Sequence, residues 1–272
     1  MGLREMPRSN EFSEIPVIIL CGGKGVMLDE ENNKRKNKAL IQVNGKPLMY
    51  WVMQTYALHG ASKFIISAGF QWEIFGESLE KTGAKKGEGA GSLYIMDLAG
   101  VSCRVQLVKT REDASTGGRL IGCRDALTRF GEYKDFAVTY SDTLSDVDLE
   151  AEMKFHKKQD LIATMVAAKL PVRFRVLGIR SGEVLVRGFA SRPVIEAASI
   201  NGGYYIFKST FWDQTGRIDD LVALENEPLE QLASSGQLAA YEHKGDWQTC
   251  DAERDLKTLE YIARKISKSL ER

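Results

Sequence analysis

Asp142 stands in Tyr140-Ser141-Asp142-Thr143, directly after an apolar run, and Asp251 closes Trp247-Gln248-Thr249-Cys250-Asp251 much later in the chain. A carboxylate just past a strand's C-terminal end lies where open α/β sheets bind their ligands. Magnesium asks for one or two carboxylates, completed by substrate phosphates. The two acids form such a site only if folding joins them. Cys21-Gly22-Gly23-Lys24-Gly25 follows another apolar run, Val17-Ile18-Ile19-Leu20. Glycines there let backbone N–H groups approach phosphate oxygens. Neither the dinucleotide fingerprint nor the P-loop pattern is present, and a tight turn explains the glycines equally well. The basic run that follows, with Lys34, Arg35, Lys36 and Lys38, is either phosphate-facing or an ordinary solvated loop.

In Ala114-Ser115-Thr116-Gly117-Gly118-Arg119-Leu120, Ser115 or Thr116 suits a helix cap. The paired glycines clear room for a flat ligand, and Arg119 brings a rigid donor fork. Asn201-Gly202-Gly203-Tyr204-Tyr205 opens a β run and suits a hydroxyl-rich ligand, or a turn. Asp146-Val147-Asp148 is a D-x-D, a second candidate pair for a metal.

These groups need elements to hold them. The run 17–21 is continuously apolar, as a strand covered on both faces must be. Residues 39–43, 63–68, 104–109 and 135–140 read as further strands. Helices are expected over 47–58, 72–81, 118–129 and 149–158, with a tight turn at Asn44-Gly45. Residues 29–38 read as an exposed loop and 83–91 as a flexible one. After Leu161 short β runs dominate, at 162–166, 184–189 and 203–207, before helices return near Pro228 and Ala252. This order predicts an α/β fold, a mostly parallel, Rossmann-like sheet with helices on both faces and a smaller β-rich part. Residues 1–16 read as a flexible N-terminal extension ahead of one domain, 17–272.

The 272 residues carry 37 basic and 37 acidic side chains, 43% hydrophobic and 27% charged residues. That composition excludes a disordered chain, a collagen-like repeat and a disulfide scaffold. The charge balance excludes a general nucleic-acid binder, which needs a basic surplus. Cys21, Cys103, Cys123 and Cys250 form no C-x-x-C pair and read as small buried hydrophobes. His59, His156 and His243 lack the spacing of a zinc site. No signal peptide, myristoylation pattern or membrane-length apolar run is present. The expectation is a reduced, soluble, cytoplasmic protein without nucleic-acid or membrane partners.

Taken in order, these blocks resemble the sugar-1-phosphate nucleotidyltransferases, most closely the glucose-1-phosphate cytidylyltransferase branch. Gly45-Lys46-Pro47, Glu227-Pro228-Leu229 and Gly245-Asp246-Trp247-Gln248 extend the match from about Val17 to Leu259. The resemblance implies that CTP and a sugar 1-phosphate give a CDP-sugar and pyrophosphate with Mg²⁺, in nucleotide-sugar and polysaccharide biosynthesis. It implies a nucleotide-binding half, 17–160, and a sugar-phosphate-binding half, 161–272. Gly22, Gly23, Lys24 and Gly25 would hold the triphosphate, Thr116, Gly118 and Arg119 would read cytosine, and Ser141 would join them. Asp142 and Asp251 would hold the metal, with Lys38 and Arg192 as catalytic charges. Arg173, Asn201, Gly202, Gly203 and Glu227 would bind the sugar phosphate, and the chain would form a homo-oligomer.

Four segments depart from the family pattern. Met27 replaces the arginine of G-T-R-L, and Lys36-Asn37-Lys38-Ala39 replaces K-P-K-P. Arg192 replaces the lysine of E-K-P, and Arg175 the glycine of R-F-G. A second reading follows, a catalytically weakened nucleotide- or nucleotide-sugar-binding relative with a regulatory role. A third is a metal-dependent glycosyltransferase built on Asp146 and Asp148.

Overall fold

Val17–Leu20 (β1) buries all four side chains, and they part to opposite faces as strand geometry requires. Val17 and Ile19 enter one hydrophobic cluster while Ile18 and Leu20 enter another. The computed structural model describes residues 9–23, 26–29, 34–88, 92–171, 176–177, 189–190, 194–214 and 219–271, with backbone alone within 26–35 and 170–198.

After β1 come helix Leu48–Ala57 (α1), strand Lys63–Ala68 (β2), helix Glu73–Lys81 (α2) and strands Lys85–Lys86 (β3), Ser92–Leu98 (β4) and Val101–Lys109 (β5). Helices Thr116–Gly122 (α3) and Arg124–Thr128 (α4) precede strand Asp135–Tyr140 (β6) and helix Leu149–Gln159 (α5). Strands Ala163–Pro171 (β7) and Val194–Lys208 (β8) follow, then helices Phe211–Gln214 (α6) and Glu227–Ser234 (α7). Strand Leu238–His243 (β9) and helix Leu256–Leu270 (α8) complete the set.

Among the described residues one sheet runs in the order β9-β7-β8-β6-β1-β2-β5-β4-β3. Its centre, β6-β1-β2-β5, is parallel throughout. Antiparallel pairs flank it, β4 on β5 at one side and β8 on β6 at the other. Helices α1, α2, α5 and α8 supply the core of one face, and α3, α4, α6 and α7 that of the other. The expected mostly parallel α/β sheet with helices on both faces is therefore present.

Several local expectations change. Residues 9–16 are packed rather than flexible: Phe12 is fully buried, meets Tyr56 edge-on at 5.4 Å, and its N–H bonds His59 O at 3.0 Å. An aromatic side chain inside a polar segment anchors it more strongly than the composition suggests; residues 1–8 lie outside the described residues. The loop expected over 29–38 contains instead an antiparallel ribbon, Val26–Asp29 with Lys34–Asn37. A run of charge does not by itself exclude strand pairing. The strand expected at 39–43 shrinks to Gln42–Val43, preceded by a 3₁₀ turn, Lys38–Leu40. The 83–91 segment holds β3, and the 118–129 helix breaks at Cys123 into α3 and α4. The Asn44-Gly45 turn stands, with φ of 47° and 74°. The run expected at 184–189 lies almost wholly outside the described residues.

Candidate active site

The C-terminal ends of β1, β2 and β6 open on one crevice, and a short ladder brings the second acid to it. Thr143–Ser145 pairs antiparallel with Trp247–Thr249, Thr143 opposite Thr249. One step beyond, the Cys250 N–H donates to Asp142 O at 2.8 Å. Asp251 thereby arrives beside Asp142. The Asp255 carboxylate accepts from the Asp251 and Ala252 N–H groups at 3.0 and 2.8 Å, which fixes the bend. Lys38 reaches in from its 3₁₀ turn, and its Nζ lies 3.3 Å from Asp142 Oδ2 and 2.9 Å from Asp251 Oδ1. Burial opposes the lysine's charge, but the Asp251 hydrogen bond and the Asp142 charge outweigh it, so its pKa lies above the ordinary value. Two carboxylates converging on one cationic centre are the donor set that a hard divalent ion takes when substrate phosphates complete its shell. Asp142 and Asp251 thus fit magnesium as ligands.

A cavity of about 280 Å³ adjoins this centre, lined among others by Gly23, Lys38, Thr116, Arg119, Ser141 and Asp142. Arg119 forms its wall. Its Nη1 donates to Thr110 Oγ1 and its Nη2 to Glu112 O, both at 3.0 Å. Burial holds its pKa below the usual arginine value, against the opposing pull of Cys21 and Asp113. Gly22 leaves room here, since a Cβ on it would stand 1.7 Å from Arg119 Nη1 and 2.8 Å from the Gly69 backbone N. Ser141 turns its hydroxyl back onto Leu20 O at 3.0 Å.

The Ser115–Arg119 turn holds a different neighbour from the flat ligand expected. Segment 219–225 runs along it: Ser115 N–H donates to Asp220 O at 2.7 Å and Gly117 N–H to Val222 O at 3.1 Å. A Cβ on Gly118 would lie 2.4 Å from Asp220 O, so the space cleared there is taken by backbone. Ser115 is the N-cap but makes no side-chain cap bond. Thr116 Oγ1 instead accepts from Leu224 N–H at 2.8 Å and donates to Glu225 Oε2 at 2.5 Å.

Glu225 was missed in the sequence, although it lies two residues before Glu227. Glu227 is exposed in the first turn of α7, whereas Glu225 also accepts from Tyr140 Oη. Tyr140 and Tyr205 hydroxyls meet at 2.8 Å, and Asn201 Nδ2 donates to Tyr205 Oη. Asn201 Oδ1 accepts from Gly203 N–H at 3.0 Å, and Gly202 O accepts from Trp247 Nε1 at 2.8 Å. The Asn201-Gly202-Gly203 block therefore adjoins the crevice through Tyr205, Tyr140 and Trp247. Lys24, Gly25, Arg173, Arg175 and Arg192 lie outside the described residues, and Met27 is described only as backbone of the ribbon.

The D-x-D has structural work. Asp146 pairs with Lys265 at 2.5 Å and His243 at 3.3 Å, and Asp148 caps α5 by accepting from Ala151 N–H at 2.9 Å. Burial pushes the Cys103, Cys123 and Cys250 thiols up to about 12 and raises that of Cys21 as well, so none is a poised thiolate. A larger cavity of about 680 Å³, around Ser9–Ile15 and Glu132–Asp135, lies at the opposite strand ends. Among the described residues no helix is long and apolar enough to cross a membrane.

Comparisons of sequence and fold with known proteins identify the family. Residues 16–249 match the family described as Nucleotidyl transferase. The chain is 34% identical over 257 residues to the glucose-1-phosphate cytidylyltransferase of Salmonella typhimurium, covering 91% of this chain and 95% of that one. Its fold is similar to that of HddC from Yersinia pseudotuberculosis, with a TM-score of 0.64, 20% identity, and coverage of 91% of this chain and 99% of that one. HddC complexed with GMP-PN gives a TM-score of 0.61 at 18% identity, with coverage of 91% and 98%. With its paired acids at the strand ends and this match across nearly its whole length, the chain belongs to the sugar-1-phosphate nucleotidyltransferase family.

Proposed function

We propose that this chain is a magnesium-dependent cytidylyltransferase, joining CTP to a sugar 1-phosphate and releasing pyrophosphate. The observation that carries this reading is the meeting of Lys38, Asp142 and Asp251 at the C-terminal ends of the parallel strands. The choice of cytidine is supported by the similarity to the Salmonella cytidylyltransferase. A phosphate oxygen of the sugar 1-phosphate attacks the α-phosphorus of CTP. The new P–O bond forms as the bond to the β-phosphate bridging oxygen breaks, and pyrophosphate leaves. The nucleophile is already ionised, so no general base is needed. Catalysis consists of holding two anions in line and neutralising their charge.

In this reading Asp142 and Asp251 hold Mg²⁺, which when bound supplies charge to the phosphates. Lys38 turns its ammonium to the same phosphates, and Arg119 walls the cavity that receives the nucleotide. The Tyr140–Tyr205–Asn201 chain of hydroxyls and amide, with Glu225, faces the acceptor sugar.

Incubation with Mg²⁺, each of the four NTPs and glucose 1-phosphate or other sugar 1-phosphates tests the proposal by pyrophosphate release. Release with CTP is expected. Release with GTP or UTP alone refutes the base assignment, and calorimetric CTP binding without any release refutes the enzymatic reading.

A further inference from the structure

Lysine is a point charge on a long flexible stem, so where its ammonium sits depends on how firmly its backbone root is held. The root of Lys38 is Asn37, which is buried at 2% exposure. Its main-chain N–H donates to Gln71 Oε1 at 3.0 Å. Its side-chain Nδ2 donates to Cys21 O at 2.8 Å, at the end of β1, and to Phe70 O at 3.1 Å, in the turn after β2. Its Oδ1 accepts from Ala39 N–H at 3.0 Å and so caps the 3₁₀ turn. Its φ of −62° is the angle that a proline ring would impose, held here by hydrogen bonds rather than by a ring.

One amide therefore ties three things together: the ends of two parallel strands and the turn that bears Lys38. Asp142 follows β6, which pairs directly with β1. The ammonium and its carboxylate partner are thus referred to the same sheet edge. We infer that Asn37 is a positioning residue that sets Lys38 against Asp142 and Asp251. The inference deepens the proposed function by naming what aims its catalytic lysine, and rests on that function only for the use the placement serves.

The test needs a readout independent of turnover. Limited reductive methylation with formaldehyde and a borane, mapped by peptide mass spectrometry, measures how freely each lysine amine reacts. The exposed Lys81 and Lys244 serve as internal references. In the wild type Lys38 reacts slowly, because its ammonium is held by two carboxylates. Asn37→Ala is expected to raise the ratio of Lys38 to reference labelling by about fivefold. Asn37→Ser, which keeps a capping oxygen but does not span to both carbonyls, raises it less and decides the matter if the alanine variant does not fold. An unchanged ratio in the folded variants overturns the inference.

Pyrophosphate release supplies a second arm. Asn37→Ala is expected to lower kcat about tenfold with Lys38 present and to add nothing in a Lys38→Met background, whereas equal losses in both backgrounds would overturn the positioning role. A wild type that releases no pyrophosphate refutes the proposed function, while the labelling comparison still judges Asn37.

Discussion

Two carboxylates held side by side repel each other, and a fold must let one take up a proton or supply a counter-charge. Here Lys38 supplies it, at 3.3 Å from Asp142 and 2.9 Å from Asp251. The same ammonium competes with any divalent ion for those oxygens. Lys38→Met is therefore expected to bind Mn²⁺ about tenfold more tightly in the absence of nucleotide, seen by calorimetry or electron paramagnetic resonance. Its turnover with CTP should nevertheless fall by about 10²–10³. Weaker metal binding in the variant would show that the acids need the lysine rather than contest it. A second single-residue effect lies in the core, away from the site. Glu152 is fully buried, and burial alone raises its pKa from 4.5 to about 8. Its Oε1 finds no hydrogen-bond partner among the described residues. Between those values the folded protein keeps a proton that the unfolded chain has released, so stability falls as pH rises through the window and levels off above it. Glu152→Gln should flatten that slope and leave the variant more stable at pH 9 by a few kcal/mol, on the order set by linkage. Urea titrations at pH 5, 7 and 9 decide; a flat wild-type profile refutes the assignment.

At the scale of elements, the short Thr143–Ser145/Trp247–Thr249 ladder sets the register that brings Asp251 to Asp142. Three strand residues a side make a weak ladder, and α8 reinforces it. Lys265 Nζ bridges Asp146 and Asp246, 2.5 Å from each, while Ser145 Oγ meets His243 Nε2 at 2.9 Å. Burial resists the charge on Asp146, but His243 and Lys265 hold its pKa down to about 2. Lys265→Met leaves that carboxylate with its main cation gone, so unfolding stability should drop by about 3 kcal/mol. The approach of Asp251 to Asp142 should loosen with it, because the Trp247–Thr249 strand loses its clamp. A thermal midpoint within a degree or so of wild type would mean that the ladder stands without α8. Both acids were legible in the sequence as candidates, since Asp142 stands in one recognisable block and Asp251 closes another. What joins them was not, because a three-residue ladder leaves no periodicity to read. The same holds for Asn37 and Glu225. Asn37 sits in a basic run whose charge suggested a loop, and Glu225 acts through a contact between segments far apart in the chain, which spacing alone does not reveal.

For the whole molecule, the alternation of strands and helices was enough to expect a sheet covered on both faces. The antiparallel strands at its margins were harder, because β4 and β8 carry no crossover helix to announce them. The expected division at residue 160 now has a physical consequence. Strand β6, from the first half, pairs with β1 on one side and with β8, from the second half, on the other. One hydrophobic cluster draws Val17, Tyr56 and Met153 from the first half together with Tyr204, Leu259 and Ile262 from the second. The other joins Leu20 and Phe136 to Phe207 and Leu229. Cutting at 160 would bare both faces of the sheet at once, so neither half retains a closed core. The chain should therefore unfold in one cooperative step, and the fragment 17–160 should not fold alone. Tryptophan reports each half separately: Trp51 and Trp72 lie in the first, Trp212 and Trp247 in the second. With Trp51 and Trp72 replaced by Phe, fluorescence follows the second half while circular dichroism follows the whole. Coincident denaturation midpoints are expected, since each hydrophobic cluster draws on both halves. Two separated midpoints would mean that the sheet parts at the β6–β8 seam, and the two halves would then be domains in their own right.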